Sequence, residues 1–190
     1  VRLLTGSQAR WHGCPPKAEQ RIYFANHQSH ADLIMIWAAL PKELRSRTRP
    51  IAAKDYWTRT PFRQWITTAV FNAIYVERER TDDQDPLQPL YDALESGDSI
   101  ILFPEGTRGY ADEPQPFKSG LYNLALKYPD VVLVPAWINN IQRVMPKGEV
   151  VPVPVLCSVT FGVPIQLDES EERRAFLDRA RQAVIALRDV

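Results

Sequence analysis

The sequence predicts an α/β fold: a single domain with a mostly parallel (mixed) central sheet covered by helices on both faces. Three observations lead there. Short apolar runs of strand length alternate with helical patterns from Arg21 to Ile138. The strand runs, Val131–Ile138 above all, are nearly continuous in apolar residues, as strands buried on both faces must be. A length of 190 residues with 45% apolar content supports one sizeable core. Repeats, low-complexity tracts and interdomain linkers are absent, so residues 1–190 read as one domain.

Val1–Gln20 is polar, poorly periodic and carries Pro15-Pro16, which predicts an irregular arm. Arg21–Ala25 reads as a short buried strand, and Leu33–Leu40 as an apolar helix stopped by Pro41. A basic loop leads to a second strand at Arg49–Lys54. The segment from Asp55 to Ile66 breaks at Pro61 and predicts two short helices, with Trp57, Phe62, Trp65 and Ile66 as their apolar surface. Ala73–Val76 is the third strand, with Arg78 emerging at its end, and Thr81–Pro86 is an acidic loop. Leu87–Ser96 is amphipathic: Leu87, Leu90, Tyr91 and Leu94 share one face, and Gly97 ends the helix. Ser99–Phe103 is the fourth strand. Gly109–Pro116, with two prolines, is a rim-like loop before a helix at Ser119–Tyr128 and the strand at Val131–Ile138.

From Met145 the pattern changes. Pro146, Pro152 and Pro154 interrupt a β-rich run that continues through Val159–Phe161, which predicts an edge or antiparallel strand. Asp168–Ser170 begins the last helix, with Glu171 and Glu172 at its positive end. Phe176, Ala180, Ala183, Val184 and Leu187 recur at helical spacing and should face the sheet.

Chemistry concentrates at two strand ends. The stretch Asn26–Asp32 lies at a strand-to-helix junction, where open α/β sheets build their sites. His27 and Asp32 are one turn of chain apart, so the carboxylate can hold one ring nitrogen protonated and leave the other free as a base. Taken alone, His27 reads equally well as a helix-capping histidine bonded to a carboxylate for structure. The second stretch, Ile100–Arg108, runs an apolar strand into Pro-Glu-Gly-Thr-Arg, a turn with a carboxylate, a hydroxyl and a guanidinium. Two strand ends with convergent polar groups argue for a site more strongly than either does.

At these residues the chain resembles the PlsC-type lysophosphatidic acid acyltransferases (1-acyl-glycerol-3-phosphate acyltransferases) of the glycerophospholipid acyltransferase superfamily. Their Asn-His-x-Ser-x-x-Asp block is matched by Asn26, His27, Ser29 and Asp32. An apolar strand ending in Arg resembles Ile74–Arg78. Phe-Pro-Glu-Gly-Thr-Arg is matched in full by Phe103–Arg108, and a strand with a late proline resembles Val131–Pro135. Phe117–Gly120 is similar to the family's Phe-Lys-x-Gly. Order and spacing agree over about 110 residues. One departure is Gly109, where many members place Ser; the missing side chain leaves room for a larger acceptor headgroup.

The resemblance implies a glycerol-3-phosphate acyltransferase-like fold and direct acyl transfer, without an acyl-enzyme, to the free hydroxyl of lysophosphatidic acid. His27 and Asp32 would be catalytic. Asn26, Ser29, Arg78, Glu105, Gly106, Thr107, Arg108 and Lys118 would bind substrate, with Arg78, Arg108 and Lys118 aimed at the phosphate. Surface ion pairing is the other reading of Arg78 and Lys118. His30 reads as a helix-start residue, and His12 receives no role. No cofactor is expected; acyl-CoA or acyl-carrier protein is the co-substrate, and the latter would be a protein partner. Rival readings are an acyltransferase acting on another lysophospholipid or a lyso-ornithine lipid, a serine-type lipid hydrolase, and a non-catalytic lipid-binding module. Gly-x-Ser-x-Gly is absent, which argues against the hydrolase. The presence of both His27 and Asp32 argues against the binding module.

Net charge is zero, yet unevenly placed. Lys42–Arg63 carries seven Lys or Arg against two acids, and Glu77–Glu113 carries eleven acids against three Arg. Such blocks are solvated faces in the plainer reading; the sharper reading of the basic one is attraction to anionic lipid headgroups. The aromatics between Asp55 and Ile66 likewise either pack on the sheet, line an acyl-chain groove or meet the membrane interface. The longest apolar run, Leu33–Leu40, is too short to span a bilayer. The resemblance implies a location at the cytoplasmic face of the membrane, peripheral or held by an anchor upstream of Val1. Cys14 and Cys157 lack metal-ligand spacing and read as structural thiols of a reducing compartment. Neither a metal nor a nucleic-acid partner is expected.

Overall fold

The computed structural model describes residues 8–29, 31–76, 85–109, 113–139 and 158–190. Within them the chain runs β1 (Gln8–Trp11), β2 (Arg21–Ala25), α1 (Asp32–Ala39), α2 (Lys42–Arg45) and β3 (Thr48–Ala53). It continues through α3 (Lys54–Trp57), α4 (Pro61–Trp65), a π-helical turn (Ile66–Val70) and β4 (Ile74–Val76). Then come α5 (Gln88–Glu95), β5 (Ser99–Leu102), α6 (Gly120–Lys127), β6 (Val132–Asn139), β7 (Ser158–Phe161) and α7 (Arg173–Ile185).

The strands form one sheet in the order β1-β7-β6-β2-β5-β3-β4. Five of them, from β6 across to β4, are parallel; β7 runs antiparallel to β6, and β1 lies parallel to β7. This is the mixed, mostly parallel sheet the apolar strands predict. β2 sits at its centre, with Ile22 paired to both Ile100 of β5 and Leu133 of β6. Its side chains alternate between two cores. Ile22 and Phe24 join a cluster with α5, α6 and α7, through Leu90, Leu94, Leu121, Leu124, Phe176 and Val184. Tyr23 and Ala25 face the other way, onto Met35, Ile36 and Ala39 of α1. A third cluster, Leu33, Ala52, Trp57, Phe71 and Ala73, ties α1 to the β3–β4 crossover. Helices therefore cover both faces.

Several boundaries differ from the sequence reading. The predicted arm contains an edge strand, β1, whose polar Gln8-Ala-Arg-Trp is exposed on alternate residues and so carries no buried-strand signature. Because β1 takes the edge, β7 is antiparallel but interior. The basic loop after Pro41 folds into α2, and Lys54 begins a helix rather than ending a strand. The last helix starts at Arg173, after an extended Glu172. Pro61 does divide two short helices: the Thr60 hydroxyl accepts the Arg63 N–H at 3.3 Å, with Pro61 in the first turn, where its missing N–H costs nothing. The β-rich run from Met145 as far as Cys157, the acidic loop Thr81–Pro86 apart from its last two residues, His30 and Arg78 lie outside the described residues.

The structure also divides the basic block. α2, Arg47 and Arg49 stand at the amino end of β3, where Arg49 pairs with Asp98 at 3.7 Å. Lys54, Arg59 and Arg63 stand beyond its carboxyl end. About 17 Å of strand separates the two groups, at ~3.3 Å per residue. Among the described residues no helix is long and apolar enough to cross a membrane.

Candidate active site

β2 ends at Ala25 in the middle of the sheet, and the next residue fixes the exit of the chain. The Asn26 side chain is buried and clamps Ile138 of β6: its Oδ1 accepts the Ile138 N–H at 2.9 Å, and its Nδ2 donates to the Ile138 carbonyl at 3.3 Å. These bonds extend the β2–β6 ladder by one side-chain rung and leave His27 as the first residue free of the sheet.

His27 is then held from several directions. Its Nδ1 lies 2.9 Å from Asp32 Oδ2. The same oxygen accepts the backbone N–H groups of Gln28 at 2.7 Å and Ser29 at 2.9 Å. Asp32 opens α1, so a carboxylate at the helix start reaches back over the turn and organises it. An acceptor that is only 1% exposed requires the proton on Nδ1, leaving Nε2 as the basic nitrogen on the far side of the ring. The ring stacks on Phe103 at 4.4 Å and 17°, and its side chain is 13% exposed. The second oxygen of Asp32, Oδ1, is buried and unpaired among the described residues.

The backbone of His27 is gripped by the second motif. Its N–H donates to Glu105 Oε1 at 2.7 Å, and its carbonyl accepts the Gly109 N–H at 2.8 Å. Glu105 Oε2 accepts the Gln115 N–H at 2.8 Å, so both carboxylate oxygens are used on backbone donors. Burial pushes the Glu105 carboxyl above its ordinary value, and the two N–H donors together with His27 partly pull it back. Gly106 adopts φ +69, a left-handed turn suited to glycine, and a Cβ there would come within 2.8 Å of Lys118 Nζ. The Lys118 backbone N–H also bonds the Pro104 carbonyl at 2.8 Å. Lys118 therefore lies across the Glu105–Gly106 turn with its side chain exposed.

Most of the residues singled out from sequence thus meet at the carboxyl end of β2 and β5. Ser29 is half-buried, and its hydroxyl accepts the Ala31 N–H at 3.2 Å, a local turn bond. Thr107 is exposed and Arg108 half-buried on the same turn. Asn26 and Glu105, expected to bind substrate, have their polar atoms committed to backbone groups and are each 2% exposed. The sequence reading missed Gln115 and Arg181. Arg181 of α7 donates to the Pro114 carbonyl at 2.8 Å and reaches Glu113 at 3.2 Å, securing the loop that bonds Glu105. Neither residue lies in a motif: Gln115 acts through its backbone N–H, which no residue type signals, and the partners of Arg181 lie 67 and 68 positions away. A cavity of about 340 Å³ between α6 and the segment leading into α7, lined by Tyr122, Leu126, Leu133 and Leu167, touches none of these residues. Among the described residues no cluster of His, Cys, Asp or Glu could hold a metal ion.

The chain is similar to known proteins over most of its length. The 1-acyl-sn-glycerol-3-phosphate acyltransferase alpha of Bos taurus is 27% identical over 195 aligned positions, covering 98% of this chain and 65% of the relative. The 1-acyl-sn-glycerol-3-phosphate acyltransferase of Cocos nucifera is 30% identical, covering 80% of this chain and 48% of the relative. The chain therefore spans about half to two thirds of the length of these curated relatives. The crystal structure of the 1-acyl-sn-glycerophosphate acyltransferase PlsC from Thermotoga maritima superposes with a TM-score of 0.70 at 23% identity, over 96% of this chain and 73% of that one, and shares the fold. A family model described as Acyltransferase matches residues 12–139, which hold the His27–Asp32 pair and the Glu105 turn. The chain belongs to the Acyltransferase family.

Proposed function

We propose that the chain is a 1-acyl-glycerol-3-phosphate O-acyltransferase, moving a fatty acyl group from acyl-CoA or acyl-carrier protein to the free hydroxyl of lysophosphatidic acid. The observation that carries this reading is the His27–Asp32 pair at 2.9 Å, its ring stacked on Phe103, with its backbone bonded to the turn that carries Arg108 and that Lys118 lies across. In this reading His27 Nε2 takes the proton of the acceptor hydroxyl as its oxygen attacks the thioester carbonyl. The tetrahedral adduct collapses, the carbon–sulfur bond breaks, and the imidazolium returns the proton to the departing thiolate. Asp32 orients the ring and stabilises its positive charge. The names of the relatives support the acceptor, since they act on 1-acyl-sn-glycerol-3-phosphate.

Arg108 and Lys118 then bind the phosphate, with Arg78 as a third cation carried over from the resemblance. Gly106 and Thr107 shape the acceptor side of the turn, and Ser29 borders it. Asn26 and Glu105 act by positioning His27. The thioester is a co-substrate, so no cofactor enters the cycle. A lipid acceptor and a cytoplasmic thioester donor meet at the cytoplasmic membrane surface, which is where the domain works in this reading.

Thiol release from acyl-CoA, measured with and without lysolipid, tests the proposal. Release should depend on lysophosphatidic acid and fall ~10²–10⁴-fold in His27→Ala. The variant keeping more than a tenth of the rate would remove His27 as base. Fatty acid release without acceptor would favour a hydrolase. Equal kcat/KM for lysophosphatidylethanolamine would leave only the broader lysolipid acyltransferase.

A further inference from the structure

The crossover from β3 to β4 presents apolar side chains on two sides. The inner side is ordinary core: Trp57 and Phe71 are buried, and Ile66 and Tyr56 are half-buried against them. The outer side has no such role. Phe62 is 68% exposed and Trp65 59%, with their rings stacked 6.4 Å apart at 23°, and Val70 follows at 42%. Among the described residues they belong to a small set of exposed large apolar side chains, and these three share a single helical stretch.

The surrounding charge is selective. Between Lys54 and Phe71 the cations are Lys54, Arg59 and Arg63, and Asp55 is the one acid. Arg63, next in sequence to Phe62, lies over the Tyr56 ring at 4.5 Å, so a cation stands on the same short helix as the exposed aromatics. The stretch follows the carboxyl end of β3, at the same end of the parallel strands where His27 follows β2. The two strands are separated by β5 alone, so about 10 Å lies between their ends at ~4.8 Å per strand.

We propose that Phe62 and Trp65 seat this edge of the domain in the headgroup region of an anionic bilayer, with Arg59 and Arg63 at the phosphate level. Phe and Trp side chains with flanking cations match that depth and that surface charge. The inference deepens the acyltransferase reading and rests on it for orientation: the seated edge turns the His27 turn toward lipids in the same leaflet. Only the carboxyl-end cations belong to the contact; the α2 cations face the opposite end of β3.

Co-sedimentation with vesicles tests it, using phosphatidylcholine with and without phosphatidylglycerol and no substrate. Phe62→Ser/Trp65→Ser should reduce partition about tenfold at every salt concentration. Arg59→Gln/Arg63→Gln should reduce it about tenfold at low salt and match the wild type at high salt. Lys42→Gln/Arg45→Gln should leave it within twofold. Both patch variants should retain turnover of a short-chain, monodisperse lysophosphatidic acid within twofold. Unchanged partition in the aromatic variant overturns the proposal. So does an altered acyl-chain-length profile on the monodisperse acceptor, which would make the pair part of a substrate groove. Loss of a concentration-dependent dimer with partition intact would assign the patch to self-association and overturn it equally. Partition is read without substrate, so an inactive wild type would defeat the acyltransferase reading and leave the vesicle arms to decide the patch.

Discussion

Glu105 Oε1 accepts the backbone N–H of His27 at 2.7 Å, while its other oxygen holds the Gln115 N–H at 2.8 Å. A residue 78 positions away thus sets the backbone from which the candidate base projects. Glutamine keeps the shape but offers one acceptor oxygen, and its NH₂ would face a backbone donor. An unsatisfied buried donor costs about 1–3 kcal/mol. Glu105→Gln should therefore lower kcat about tenfold or more with KM changed less than threefold. Steady-state kinetics on both substrates checks this; a rise confined to the lysolipid KM would place Glu105 on the substrate instead.

The same carboxyl gives a pH signature of opposite sign in stability and in activity. Burial raises its folded-state value above the ordinary 4.5. Between the two values the folded chain binds more protons than the unfolded one, so stability falls as pH rises through that window. Protonation, however, turns one acceptor oxygen into a donor, so activity should fall as pH drops through the raised value. Urea midpoints and kcat measured across pH 4–7 should show both slopes, and the stability slope should flatten in Glu105→Gln. Identical stability profiles for the two proteins would mean that Glu105 does not carry the linkage.

Arg181 offers a test from the far end of the chain. Its guanidinium holds the Pro114 carbonyl at 2.8 Å and Glu113 at 3.2 Å, one residue before the Gln115 N–H that Glu105 accepts. The Glu113 bond is exposed and worth little after screening. The Pro114 bond is charge-assisted and partly buried, so Arg181→Met should cost on the order of 1 kcal/mol. The rate should fall in kcat, and Lys should restore little of it, because a single ammonium cannot replace a fork that meets two groups. Parallel melting and kinetic measurements separate the positioning effect from simple destabilisation: a Tm loss without a kcat loss would make Arg181 structural only.

What the sequence disclosed, and what it hid, follows from the range of the forces involved. β2, β6 and α1 were legible because burial on both faces writes an unbroken apolar run. The His27–Asp32 contact was legible because five positions of chain suffice to close it. β1 was not: Gln8-Ala-Arg-Trp owes its strand state to backbone pairing with β7, which lies some 150 residues away and leaves no side-chain pattern. Glu105 was legible as a polar group at a strand end, but its commitment to the His27 N–H depends on β2 and β5 being neighbours. The split of the basic block was hidden for a similar reason, since a linear count of charges cannot see that β3 carries the chain across the domain.

Gly109 provides the last test, because the structure redirects what the sequence suggests about it. An absent side chain beside the Glu105–Arg108 turn invites the idea of a wider acceptor pocket. Yet a Cβ at this position would point at Glu105 Oε2, 3.1 Å away, with the His27 carbonyl and Gln115 as its next neighbours. That contact is tight, and its other side is the carboxylate that holds His27. Gly109→Ala should displace Glu105 by a few tenths of an ångström and lower kcat, with a stability cost of about 1 kcal/mol at most for so small an intrusion. It should not alter acceptor choice: the ratio of kcat/KM for lysophosphatidic acid to that for lysophosphatidylethanolamine should stay within twofold of the wild type. A ratio that shifts tenfold with kcat unchanged would show that position 109 faces the headgroup after all, and that the Glu105 contact is incidental.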